Sequence, residues 1–392
     1  MKKLGIYIHI PFCVKKCQYC DFLSFGVGRS FAGSAMERDY IEALIKEIES
    51  EKETEDWVVD TVFFGGGTPS VVSPLSIEKV LCKLHEKYQF ADCPEITMEV
   101  NPGTVTEKSL FEYRKMGINR LSIGMQSANE EELVMLGRIH SKCEVEETVH
   151  LARAAGFQNL SLDLMSSLPD QTAAMFRESL EKAITLSVEH LSIYSLIIEE
   201  GTPFYRKRST LNLPKEEEVD RIDQSIEELT HLAAYHHYEI SNYAKEGFCC
   251  RHNLKYWNRD SYRGFGVGAA SLMEYEDGRH LRFTNSAKIE QYREECMQSP
   301  FARKGVQEYR LLSEHDRMEE YMFLGLRLVS GISLSKFEKI FSVTMEEIYK
   351  TPINKYLAYG MLQKENRNND VFLSFTKRGM EMSNDILTDF LF

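Results

Sequence analysis

The sequence predicts an α/β fold built on a parallel sheet, curled or open, with helices outside it. Two observations carry this expectation. Short apolar or β-branched runs recur at residues 4–10, 60–66, 95–101, 120–126, 160–165 and 190–198, and helix-length amphipathic segments lie between most of them, the alternation expected of βα units. The polar residues also gather where such sheets place function, at the carboxyl ends of the strands.

Taken in order, the first run, LGIYIHI, leads into PFCVKKCQYC with Cys13, Cys17 and Cys20. The second, DTVFFGG, ends in Gly65, Gly66, Gly67 and Thr68; the third, EITMEVN, carries Glu99; the fourth, RLSIGMQ, ends at Gln126; the fifth, LSLDLM, contains Asp163. The sixth is HLSIYSLII. Segments 38–53, 75–88, 144–156 and 175–187 have the apolar spacing of helices packed on one face. GGGTP is no phosphate-binding Walker loop, because the Gly-Lys-Ser/Thr ending is absent. On its own it reads equally as a tight βα turn.

Composition limits the function classes. The chain has 392 residues, 47 basic against 60 acidic, for a net charge of −13, so a phosphate backbone would meet repulsion and nucleic acid is not an expected partner. No run approaches the ~18 apolar residues of a membrane-spanning helix. The start, MKKLGIYIHIPFC, has too short an apolar stretch for a secretory signal. A cytoplasmic protein, not an integral membrane one, is expected. Nine cysteines in a reducing compartment favour metal or redox chemistry over disulfides.

Three thiolates spaced three and then two can converge on one inorganic centre. Structural zinc wants four closed ligands, and no fourth cysteine stands nearby. A 4Fe-4S cluster held by three thiolates leaves one iron open for another ligand. The alternatives are a zinc site completed by a distant His or Cys, or three unligated thiols.

C-x3-C-x2-C with Tyr19 before the last cysteine resembles the cluster loop of the radical S-adenosylmethionine (SAM) superfamily, and YIHIPFC resembles its branch containing oxygen-independent coproporphyrinogen III oxidase. The resemblance implies a partial (β/α)6 barrel, a 4Fe-4S cluster on Cys13, Cys17 and Cys20, and SAM chelating the open iron by its amino and carboxylate groups. It assigns SAM binding to Tyr7, Tyr19, Gly66, Gly67, Thr68, Glu99, Gln126, Arg138 and Asp163. Four departures stand out. Phe22 occupies the place of a further cysteine found in the true oxidases, which also carry an N-terminal extension. MSSLPDQT lacks an aromatic-glycine pair before Leu-Pro, and Asp170 stands where relatives have glycine.

A second constellation, His252, Asn253, Tyr256 and Trp257 in H-N-x-x-Y-W, resembles the motif of the radical-SAM haem chaperones. Imidazole is a common axial ligand, and Tyr and Trp rings offer flat apolar faces to a porphyrin. Cys249 or Cys250 could supply a thiolate instead. The bland reading makes Asn253 a turn cap and the aromatics core. The Gly264, Gly266, Gly268 series lacks the strand-turn-helix context of a dinucleotide fingerprint.

Past residue 300 the sequence reads as helices, a polar-tipped hairpin at ENRNNDVFLSF and a final amphipathic helix, similar to the accessory domain of the same family and winged-helix-like. The expected organisation is a barrel over 1–240 with the cluster and SAM site, a haem-binding segment and connection over 241–300, and an accessory domain over 301–392. The expected function is haem binding and transfer to an acceptor, respiratory or membrane-associated, with room for a homodimer and no catalytic residue assigned. The competing readings are a radical-SAM enzyme acting on a tetrapyrrole, by coproporphyrinogen oxidation or haem ring opening, and an iron-sulfur DNA-binding regulator, against which the acidity argues.

Overall fold

In the computed structural model, residues 1–52, 54–275, 277–298 and 306–392 are described. The end of the 38–53 helical segment at Glu53 and the 300/301 domain boundary lie outside the described residues. Six parallel strands form the barrel wall: β1 (Lys2–Ile10), β2 (Trp57–Gly66), β3 (Gln89–Val100), β4 (Arg120–Gln126), β5 (Leu160–Ser166) and β6 (His190–Ser195). Beyond β6 lie β7 (His236–Glu239) and β8 (Asn242–Ala244). Beyond β1 lie β9 (Tyr262–Phe265), β10 (Ala270–Glu274), β11 (His280–Asn285) and β12 (Val306–Leu311). The sheet order is β12-β11-β10-β9-β1-β2-β3-β4-β5-β6-β8-β7, so the six-strand wall is flanked on both edges and does not close on itself.

Alternation sets the two faces of the wall. On β1, Leu4, Ile6, Ile8 and Ile10 are fully buried among the helices, each contributing roughly 1.5–3 kcal/mol, while Tyr7 and His9 point inward. The covering helices include α1 (Ala35–Ser50), α2 (Pro74–Lys87), α3 (Glu107–Lys115), α4 (Lys142–Ala154), α5 (Ala173–Thr185) and α6 (Glu216–Leu232). Local sequence starts them cleanly: Thr106 with Ser109 and Ser141 with Glu144 form capping boxes on α3 and α4. Buried Glu37 of α1 accepts from the backbone N–H and Oγ of Ser73 and from Ser76 Oγ, at 2.6–2.9 Å, which ties α1 to the start of α2.

A short helix, α7 (Arg251–Trp257), closes the floor of the barrel. The carboxylate of Glu95 accepts from the N–H groups of Arg251 and His252, each at 3.0 Å, and Lys255 pairs with Asp60 at 2.7 Å in a buried setting. A second core, running from Met318 to Phe390, is built from helices Glu314–Gly325, Leu334–Phe341 and Met345–Ala358 around a small sheet of Ile332–Ser333, Asp370–Phe375 and Leu362–Arg367. No described helix is long and apolar enough to cross a membrane.

Candidate functional site

The loops after β1 and β2 are laced together. Gly67 N–H donates to Ile10 O and Thr68 N–H to Phe12 O, both at 2.8 Å. A Cβ at Gly67 would lie 2.7 Å from Phe12 O, so only glycine permits this approach. The result is a rim on which Cys13, Cys17 and Cys20 line one cavity of about 540 Å³ together with Tyr19, Gly66, Gly67, Thr68, Glu99, Gln126, Arg138 and Asp163. Among the described residues no three His, Cys, Asp or Glu side chains form a cage for a single metal ion. All three thiols open onto that one cavity. Burial pushes the Cys13 and Cys20 thiols up.

A hydrogen-bonded chain connects two of these thiols. Arg138 Nη1 donates to Cys17 Sγ at 3.7 Å, and its Nη2 donates to Asn101 Oδ1 at 2.6 Å and Gly124 O at 2.7 Å. Asn101 Nδ2 donates to Thr68 Oγ1 at 2.8 Å, and that hydroxyl donates to Cys13 Sγ at 3.5 Å. Asn101 is absent from the residues chosen by sequence. Its place directly after the Glu99 strand end was the available signal.

Two carboxylates sit deeper. Burial, reinforced by Asp163, pushes Glu99 up to about 8, against the 3.1 Å bond it accepts from Gly66 N–H. Asp163 is also pushed up by burial and accepts from Ser122 Oγ at 3.0 Å. Both are suited to a cationic or hydroxyl-bearing ligand. Gln126 ends β4 in the left-handed region at φ 64°, a strained conformation held where the strand turns into the rim. Tyr7 sits apart from the rim. It lines a second cavity of about 240 Å³ and its hydroxyl meets His9 Nδ1 at 3.0 Å.

That second cavity shares Phe22, Gly66, Glu99, Ser122, Asp163 and Tyr194 with the first, so the two abut inside the barrel. The H-N-x-x-Y-W residues are divided by it. His252, Asn253 and Tyr256 line it. Trp257 instead lines a separate cavity of about 150 Å³ with Tyr321, Leu328 and Ile332 of the C-terminal region. Both ring nitrogens of His252 are engaged, Nδ1 with Thr61 Oγ1 at 2.8 Å and Nε2 with Tyr256 Oη at 2.9 Å. Burial, then the charges of Lys255 and Arg120, hold this imidazole down to about 3, so it is neutral. Buried Cys250 donates to Glu95 Oε1 at 3.7 Å, and burial pushes its thiol up to about 12. Cys249 is half-buried, its thiol raised by burial.

The departures noted in the sequence have physical counterparts. Ser167 and Asp170, where the family resemblance leads one to expect glycine, adopt φ of 58° and 60°, the region glycine enters without strain. Asp170 is steadied by Asn212, whose Nδ2 donates to Oδ1 at 2.7 Å and whose carbonyl accepts from Asp170 N–H at 2.8 Å. Phe22 stands exposed at the mouth and borders both cavities.

A partial parallel barrel with a three-cysteine loop after its first strand defines a radical SAM protein, and the family profile described as Radical SAM superfamily matches residues 7–183, with a HemN C-terminal domain profile over 312–381. Within that superfamily the chain belongs to the family of the haem chaperone HemW. It is 32% identical to heme chaperone HemW of Lactococcus lactis over 392 residues, covering 100% of this chain and 98% of that one. It is 37% identical to the Escherichia coli HemW over 334 residues, 82% of this chain and 86% of that one. The Bacillus subtilis HemW is 32% identical over 389 residues, with 98% of each chain covered. The solved structure of coproporphyrinogen III oxidase (HemN) from E. coli, a radical SAM enzyme, superposes with a TM-score of 0.81 at 21% identity over 99% of this chain and 90% of that one, a likeness of fold.

Proposed function

We propose that this chain carries a 4Fe-4S cluster on Cys13, Cys17 and Cys20, binds SAM on the adjoining rim, and takes up haem for delivery to an acceptor protein. The observation that carries the reading is the joint lining of one cavity by the three cysteines and eight of the nine residues assigned to SAM. The donor set fits the cluster: three thiols line one cavity, with the Thr68 hydroxyl and the Arg138 guanidinium donating to two of the sulfurs. A cluster so held supplies an open iron on which SAM's amino and carboxylate groups can bind. Arg138 and Thr68 would offset thiolate charge, Glu99 and Asp163 would accept from SAM's hydroxyl or ammonium groups, and the close-set Gly66–Gly67 backbone leaves room for the ligand.

For haem, the exposed apolar groups Phe22, Tyr194 and Ile197 border the mouth of the larger cavity and offer flat or aliphatic contact. His252, Asn253, Tyr256 and Trp257 belong to this proposal with a condition attached: His252 can ligate iron only after Nε2 leaves Tyr256. The acceptor is proposed to be respiratory or membrane-associated, and the protein cytoplasmic. The proposed division into 1–240, 241–300 and 301–392 is supported at its end by the separate core of Met318–Phe390. The second reading, a radical enzyme on a tetrapyrrole, is favoured by the inner cavity abutting the proposed SAM site.

Anaerobic reconstitution tests the first part. About four irons and four sulfides should bind per chain, and Ala at Cys13, Cys17 or Cys20 should abolish this, whereas Ser at Cys249 or Cys296 should not. Haem added to the loaded protein should give a Soret shift near one equivalent and then pass intact to an apo-acceptor. Full iron loading of Cys20→Ala overturns the cluster. Consumption of haem with SAM overturns the chaperone reading in favour of the enzyme.

A further inference from the structure

The floor of the barrel holds a guanidinium whose buried Nε has no hydrogen-bond partner among the described residues. Arg120 begins β4 on the inward face it shares with Ser122, Gly124 and Gln126, and is 2% exposed. It lines the 240 Å³ cavity with Tyr7, Ser192, His252 and Asn253. Its Nε is buried without a hydrogen-bond partner. The nearest carboxylates are committed elsewhere: Glu95 caps α7 and accepts from the Cys250 thiol, and Asp163 accepts from Ser122. They act on the guanidinium through space, without a bond. The two imidazoles flanking the floor are engaged as well, His252 by Thr61 and Tyr256, His190 by Ser161 and Tyr238.

A guanidinium N–H buried without a hydrogen bond is destabilising to the fold. Its planar fork matches a carboxylate bidentately. We propose that Arg120 is the receptor for a carboxylate of the molecule that enters the barrel, binding it at the floor of the inner cavity. Two sources of that group exist on the functional reading above, on which this inference rests: the methionyl carboxylate of SAM and a propionate of the tetrapyrrole. The geometry favours the propionate. If SAM sits on the proposed rim site, which Gly124 and Arg138 line, Arg120 stands four residues further down the strand, about 13 Å in backbone distance, in the inner cavity. A ring seated within the larger cavity can extend a propionate into the inner cavity that abuts it, which Arg120, the one inward-facing cation of β4, lines.

The test uses the full-length, cluster-loaded protein and two probes, haem and its dimethyl ester, titrated by Soret absorption. Wild type should bind the free acid about ten- to a hundredfold more tightly than the ester, the range expected for a charge-assisted pair. Arg120→Gln should shrink that preference to within about threefold while the SAM-induced change in the cluster's electron paramagnetic resonance spectrum is unchanged. Arg120→Lys, which keeps the charge without the fork, should give an intermediate preference and serves if the Gln variant does not fold. Equal binding of acid and ester by wild type overturns the inference and needs no variant. Loss of the SAM response in Arg120→Gln with the haem preference intact assigns the site to SAM's carboxylate and overturns the propionate. If wild type binds neither porphyrin, the haem reading itself has failed, and this inference with it.

Discussion

Arg138 donates to Asn101 across 2.6 Å, and through that bond the guanidinium beside Cys17 is held in line with the Thr68 hydroxyl beside Cys13. Two residues 37 apart in sequence thus share one job at the rim. Asn101 orients, and Arg138 supplies the charge.

Asn101→Ala should therefore leave cluster loading intact, because no ligand is removed, but loosen Arg138. Loss of one hydrogen bond to a charged group costs about 1.5–3 kcal/mol, so SAM affinity should fall about ten- to a hundredfold. Titration of the reduced cluster's paramagnetic spectrum with SAM reads this directly. Iron loss in Asn101→Ala would show instead that the chain holds the loop itself.

Tyr256→Phe frees Nε2 of His252. If that nitrogen ligates haem iron, the variant should bind haem more tightly than wild type and with a sharper Soret band, whereas His252→Ala should lose that band. Thr61→Val serves as the control, since it removes the Nδ1 partner and leaves a buried group unsatisfied at about 1–3 kcal/mol, visible as a lower Tm. Identical haem spectra in all three variants would place the iron ligand elsewhere.

The carboxyl of Glu99 has a native pKa of about 8 against 4.5 when unfolded. The native state therefore holds a proton that the unfolded chain loses between those values, and stability of the ligand-free protein should fall as pH rises from about 5 to 8. Glu99→Gln should flatten this decline, by about 1–3 kcal/mol across the window, less than the full shift because the group faces a solvated cavity. On the acid side the sign reverses: His252, held down to about 3, and His140, held down to about 4 by burial and then by Arg138, stay neutral while the unfolded chain binds protons. Stability is thus lost as pH falls from about 6.5 toward 4. Thermal melts from pH 4 to 8.5 check both limbs.

Asp170→Gly should keep or slightly raise stability, since glycine relieves the left-handed backbone at φ 60° while the Asn212 side-chain bond is lost. Asp170→Val should lower it by about 1–2 kcal/mol, because a β-branched residue is costly there. Denaturant midpoints decide it: that of Asp170→Gly should stay at or above wild type while that of Asp170→Val falls below it.

The α/β class, the six strand positions and the cysteine loop were legible in the chain because each is written in short-range pattern: two-residue alternation marks a strand, and residues three and four apart fix a loop's reach. Strand ends were legible for the same reason, which puts Glu99, Gln126 and Asp163 toward one rim, whereas Arg138 lies in a loop and was singled out by the resemblance alone; all four line the same cavity. Asn101 was passed over because its partners, Arg138 and Thr68, come from other elements, and a local pattern names no partner. The H-N-x-x-Y-W run was seen as one motif because its residues are adjacent in sequence. A helix spreads adjacent residues around its axis, so α7 turns His252, Asn253 and Tyr256 into the barrel and Trp257 toward the C-terminal region. Arg120 read as the ordinary start of a strand, and only the packing of β4 beside Glu95 and beneath Asp163 shows a buried cation facing a cavity. Sequence by itself determined the elements, because those follow from spacing along the chain, and the resemblance to a known family supplied the residues proposed for the rim. Which side chains meet, which are already bonded, and which charge is left facing a cavity were decided by strand register and helix rotation, which exist only once the sheet has assembled.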